Sequence, residues 1–189
     1  HKFYNKDGEE VKQRIFLCSP SIESNPIFTA LKYLDEDDMV HDYTDAKLQI
    51  ILDDIKETKQ EAEQYQEELK EYRKFKKEKK INDLSPKTLL TLHKNDFNPP
   101  VAPKYKIPPV NSIIFDDLIN SPAYKATGKS LINSLCVRNR HLGINVYILA
   151  QSANQIPKTI RSQARILMLY RYNSKNIIED LYEIVSSIL

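Results

Sequence analysis

The sequence predicts an α/β fold: a parallel β-sheet flanked by helices and interrupted by one long helical insertion. Three observations lead there. The C-terminal part alternates continuous apolar runs with helix-like stretches, and strands that are apolar throughout belong to parallel sheets covered on both faces. Leu48, Ile51, Ile55, Thr58, Ala62, Tyr65, Leu69 and Tyr72 recur in steps of three and four, the heptad-like stripe of one long helix from about Asp45 to Lys80. The total of 189 residues allows one good core with room for an appendage.

Each element has its own signals. "HKFYNKDGEEVKQ" reads as a helix end and a turn leading into a strand; starting at His1 without a Met, it looks like a chain cut inside a domain. "RIFLCS", Arg14 to Ser19, is a short apolar run closed by Pro20, as expected of a buried strand. "SNPIFTALKYL" reads as a short helix with Ser24 or Asn25 near its cap and Pro26 in its first turn. "MVHDY" suggests a second short strand, and Thr44 suits the N-cap of the long helix. Along that helix Glu57–Glu61, Glu63–Glu67 and Glu67–Glu71 are repulsive neighbours, so charge pairing accounts poorly for it. Its basic end, "KEYRKFKKEKK", could touch phosphate, but a solvated helix face is the favoured reading.

The proline-dense "NDFNPPVAPKYKIPP" is an extended connector over the surface. After it come the strand "NSIIFDD", the helix "KSLINSLCVRNRHL" ended by Gly143, and the strand "INVYILAQS". A short helix "IPKTIRSQAR", a buried strand "ILMLYRY" and a helix from Lys175 capped by Ser174 complete the chain. Residues 1–44 and 111–189 would then form one core, with 45–110 inserted between them.

Composition narrows the function classes. The net charge of +2 does not by itself demand a nucleic-acid partner. Cys18 and Cys136 stand far apart in apolar surroundings without a CxxC or Cys/His cluster, which reads as reduced core thiols. No apolar stretch approaches the roughly 20 residues of a membrane span and no signal peptide is visible. These features suit a soluble protein of a reducing compartment.

Ligands of open parallel sheets bind beyond the carboxyl ends of the strands. Polar residues stand there on three predicted strands: Asp116 and Asp117, Gln151 and Ser152, and Arg171. Paired acids at such an end suit metal-assisted phosphoryl transfer, one holding Mg²⁺ through its water shell and the other orienting or deprotonating a water. A neighbouring amide can position that water.

The stretch "SPAYKATGKS", Ser121 to Ser130, mimics a phosphate-binding loop through Gly128-Lys129-Ser130 and Ala123. A true loop of this kind follows its strand at once, whereas here several residues separate Ala123 from Asp117. The chain has 3 glycines in all, and "YKAT" holds none where close backbone approach to phosphate favours them. Thr127 or Gly128 more plausibly caps the following helix.

In order and spacing, "IIFDD", "RNRH", "GINVYILAQS" and "IPKTIRSQARILMLYR" resemble one family. It is the DNA-packaging ATPases of nucleocytoplasmic large DNA viruses, the poxvirus-type branch of the FtsK/HerA superfamily of P-loop NTPases. "RIFLCSPSIESNPIF" is similar to the family's second strand. The resemblance covers most of the chain except the insertion. It implies a RecA/ASCE-like core that binds ATP and Mg²⁺, with Asp116 as the Walker B metal acid, Asp117 as the catalytic base and Gln151 as the sensor. Asp117 departs from the Glu usual in cellular relatives. Arg161 would be the arginine finger reaching a neighbouring subunit, with Arg140 the second choice, while His141 suits a helix end. The resemblance places the first strand, P-loop and first helix before His1, so this stretch alone would be inactive. It further implies a homo-oligomeric ring, double-stranded DNA and viral capsid or portal components as partners, and a virion or cytoplasmic viral factory as location. Two alternatives stay open. One is another ASCE ATPase, a helicase or conjugation motor. The other is a non-catalytic interaction module using Leu48, Ile55, Ala62 and Leu69.

Overall fold

The computed structural model describes residues 3–6, 8–30, 34–77, 84–118, 124, 130–152, 155–170 and 175–186. By packing, the chain forms two compact units, one of residues 14–51 and 111–189 and the other of residues 1–13 and 52–110. The sequence put residues 1–13 with the sheet; they group with the inserted region instead.

The first unit is built on a four-stranded parallel sheet. Its strands are β3 (Gln13–Cys18), β4 (Met39–Val40), β5 (Val110–Asp116) and β6 (Ile144–Leu149), in the spatial order β4-β3-β5-β6. Parallel neighbours need crossover connections. Helix α1 (Pro26–Ala30) lies between β3 and β4, and α4 (Leu131–Leu142) joins β5 to β6. Phe16, Leu17, Ile113, Phe115, Ile132 and Leu135 are almost fully buried and make the core where strands meet helix. Asn25 caps α1 by accepting from the Ile27 amide, with Pro26 as its first residue. Arg14 clamps Asp38 through Nε and Nη2 at 3.0 and 2.7 Å, and its guanidinium lies 4.4 Å above the Phe16 ring.

Helix α4 ends as its sequence foretold. Gly143 takes φ 67° and its amide reaches the Arg140 carbonyl, the left-handed stop that glycine adopts without a Cβ penalty. The start differs. The cap is Ser130, whose Oγ accepts from the Asn133 amide at 3.3 Å, and not Thr127 or Gly128. Ser130 is the last residue of the Gly-Lys-Ser; Gly128 and Lys129 lie outside the described residues.

A larger correction concerns "ILMLYRY". Residues 166–170 form no strand and are exposed, Ile166 at 74%, Met168 at 76% and Tyr170 at 79%. Strand β6 is the last strand of the described sheet, so this apolar run has no described neighbour with which to complete a ladder. The sheet is accordingly not covered throughout, as Tyr147 and Leu149 stand half-exposed on β6. Helices α5 (Lys158–Arg161) and α6 (Lys175–Ser186) flank this run; Arg171 and Ser174 lie outside the described residues.

The second unit opens with a hairpin of β1 (Phe3–Tyr4) and β2 (Glu10–Val11), where the sequence suggested a helix end. Gly8 at φ 79° lets Asn5 close the turn, its side chain accepting from the Glu9 amide. Helix α2 runs from Asp45 to Lys77, its first two turns in the first unit and the rest in the second. Thr44 is its cap, accepting from the Lys47 amide at 3.1 Å. Leu48, Ile51, Ile55 and Ala62 of the stripe are buried within the chain, and Leu69 is half-buried.

Helix α3 (Pro86–Lys94) was not read from the sequence. Its signals are present: Ser85 caps it through the Thr88 amide, Pro86 occupies the first turn, and Leu92 is buried. Asp96 and Phe97 leave it at positive φ, and the proline-rich stretch that follows carries no helix or strand up to β5. Both cysteines are free. Burial raises the Cys18 thiol to about 12 and that of Cys136 to about 11, which matches inert core thiols.

Candidate functional site

The register of the sheet decides what meets at its carboxyl edge. Strand β5 pairs with β6 from Asn111↔Ile144 through Asp116↔Leu149, so both strands finish level. Consecutive residues of an extended strand point to opposite faces. Asp117 breaks that alternation with φ 51°, a left-handed conformation that Asp tolerates better than most residues. As a result Asp116 and Asp117 line the same open pocket, of about 330 Å³, with Ser21, Asn25, Leu149, Ala150 and Gln151.

Hydrogen bonds fix both carboxylates. Gln151 Nε2 donates to Asp117 Oδ2 at 3.2 Å. Ser19, fully buried at the end of β3, donates its hydroxyl to Asp116 Oδ2 at 2.9 Å. Ser19 Oγ in turn accepts from the Ser21 amide at 3.2 Å and lies 3.0 Å from Ser21 Oγ. With its own proton committed to Asp116, Ser19 receives that of Ser21, and a short relay runs from the pocket wall to the carboxylate. The sequence reading missed Ser19, Ser21 and Asn25. The signal was available, since Ser19 follows a parallel strand just as Gln151 does and as Asp116 ends one.

The donor set is all oxygen and amide, with carboxylates, hydroxyls and carboxamides, and this is the chemistry of a hard cation such as Mg²⁺. No group of three or more His, Cys, Asp or Glu side chains gathers among the described residues. A cation here would therefore rest on Asp116, Asp117 or both, with the remaining positions filled by water or substrate oxygen. The lining includes no Lys or Arg, so these seven residues suit the metal and the water better than a triphosphate.

The two candidate arginines do not join this pocket. Arg161 ends α5, half-buried, with Nε and Nη1 shielded from solvent. Arg140 is exposed in the last turn of α4, just before β6 begins. Strand β6 separates it from the acids by about 17 Å along the sheet, so within one chain it stands at the opposite edge. His141 shares that edge. Comparison with family models, with curated proteins and with solved structures yields no match to this chain.

Proposed function

We propose that the pocket is the metal- and water-handling part of an ATPase site, and that the protein serves a viral genome-packaging motor moving double-stranded DNA into capsids. One observation supports this above the rest: two consecutive acids and an amide from adjacent parallel strands are brought into one pocket at the carboxyl edge. Mg²⁺, when bound, supplies charge neutralisation for the transferring phosphoryl group. Asp116 would hold it, its carboxylate oriented by Ser19. Asp117 would accept the proton of the attacking water, and Gln151 keeps that carboxylate oriented. A helicase or a conjugation motor would use the same constellation. The triphosphate is gripped by residues other than the seven that line the pocket, and Arg161 or Arg140 acts on a neighbouring subunit's nucleotide in a ring. Capsid or portal components, and a virion or viral-factory location, belong to the same proposal.

The test is Mg²⁺-dependent ATP hydrolysis by the full-length protein. Asp117→Asn should lower turnover by about 100-fold or more, the scale of a lost general base, with nucleotide binding retained. Undiminished turnover in that variant rejects the reading.

A further inference from the structure

The last two turns of α2 concentrate positive charge on one side. Residues of a helix advance by about 100° each, so Lys70, Arg73, Lys74 and Lys77 fall within a stripe about 100° wide and about 10 Å long. All four are exposed. Lys74 is bonded to Glu71 at 2.7 Å. The salt bridges among the described residues use none of the other three. Glu67, the acid one turn before Lys70, is engaged by Lys87 at 3.6 Å.

The stripe points away from α3. On the other side of α2, Glu68 receives Lys94 and Asn95, Glu71 receives Thr88, and Phe75 meets Phe97 at 6.1 Å. Cations in a last helical turn favour the macrodipole, but Lys70 and Arg73 precede that turn, so capping does not account for them. Helices that lie on membranes set Trp, Phe or Leu beside their basic residues. Here no large apolar residue between 66 and 77 is exposed, and Tyr72 and Phe75 are half-buried and in ring contact with each other.

We propose that Lys70, Arg73 and Lys77 form a docking stripe for the phosphate backbone of double-stranded DNA. A row of cations along one face of a helix complements the charge of a polyanion, and a duplex carries one charge per about 1.7 Å of its axis. The inference rests on the proposed function for its choice of partner and on this charge distribution for its place; because binding is measured without nucleotide, its failure is distinguishable from failure of the ATPase site.

The experiment measures fluorescence anisotropy of a labelled duplex of about 20 base pairs, two helical turns, across a salt series without nucleotide. The wild-type full-length protein should bind with a steep salt dependence. Lys70→Gln, Arg73→Gln and Lys77→Gln combined should flatten the log–log slope by about 2 to 3, near 0.9 per lost phosphate contact, and weaken low-salt binding at least about tenfold. Lys47→Gln, Lys56→Gln and Lys59→Gln, which remove the same charge from the other end of α2, should leave slope and affinity within about twofold. Circular dichroism should show unchanged helix content in both. The proposal is overturned if the wild type ignores the duplex at low salt, or if the two triple variants lose affinity equally. It is overturned too if the stripe variant changes binding only to phosphatidylserine vesicles or to an acidic peptide.

Discussion

Ser19 shows how one hydroxyl sets the geometry of a candidate site. Its backbone amide closes the β3–β4 ladder at the Val40 carbonyl at 3.1 Å, while its side chain reaches Asp116 on the neighbouring strand. The donor is therefore held by the sheet and not by a loop, and Asp116 inherits that rigidity. Replacing Ser19 with Ala removes the donor and leaves Asp116 Oδ2 beside an apolar methyl group. Hydrogen bonds to charged acceptors contribute about 1.5–3 kcal/mol when buried; Asp116 keeps partial access to water, so the low end, about 1.5 kcal/mol, is expected. Urea unfolding measures it, and an unchanged midpoint in Ser19→Ala would show that the bond contributes nothing. Asp117 belongs to the same scale. A positive φ at a non-glycine residue is what brings two sequential acids to one pocket, and no sequence pattern of strand alternation announces it.

Helices α2 and α3 are joined by polar groups more than by apolar ones. Glu71 is almost fully enclosed, accepting from the Lys74 ammonium at 2.7 Å and the Thr88 hydroxyl at 2.6 Å. Those two bonds, Lys74 first, hold its carboxyl below the usual range. For Glu68 burial acts upward, but donation from Lys94, Gln64 and Asn95 outweighs it and the carboxyl is again lowered. A carboxyl with a lower pKa folded than unfolded adds stability above the unfolded value of about 4.3, and that stability drains away as pH falls through the folded value. Acidification below about pH 4.5 should therefore loosen the α2–α3 pairing. Hydrogen exchange of α3 amides between pH 7 and pH 3 reports it, and Glu71→Gln should flatten the pH dependence. Protection that is indifferent to pH in the wild type would mean these carboxylates do not hold the pair. This joint is hardly legible in the sequence, because Glu71 and Thr88 are 17 residues apart and each alone reads as a surface residue.

At the scale of the whole molecule, legibility followed locality. Thr44, Asn25 and Gly143 act through neighbours a few residues away, and each was read correctly from the chain. The stripe of α2 and the parallel sheet follow from periodicity, which is also local. What failed needed partners distant in sequence: the Ser19–Asp116 bond and above all "ILMLYRY". An apolar run becomes a strand only if another strand lies beside it, and none of the described strands does so for residues 166–170. The consequence is physical. Ile166, Leu167, Met168, Leu169 and Tyr170 expose a continuous apolar run, and Tyr147 and Leu149 on β6 expose more. Sheet edges without charge or proline, and apolar patches left in water, promote association between copies. The chain should therefore self-associate as its concentration rises, and Ile166→Lys with Met168→Glu should suppress this. Both side chains are about three-quarters exposed, so the pair should change stability by no more than about 0.5 kcal/mol per site. Light scattering against concentration, read beside thermal unfolding, checks both halves. Weaker scattering at unchanged stability is the expected result. A large loss of stability would instead show that residues 166–170 are packed against the rest of the chain in solution, and the exposed run described here would have to be given up.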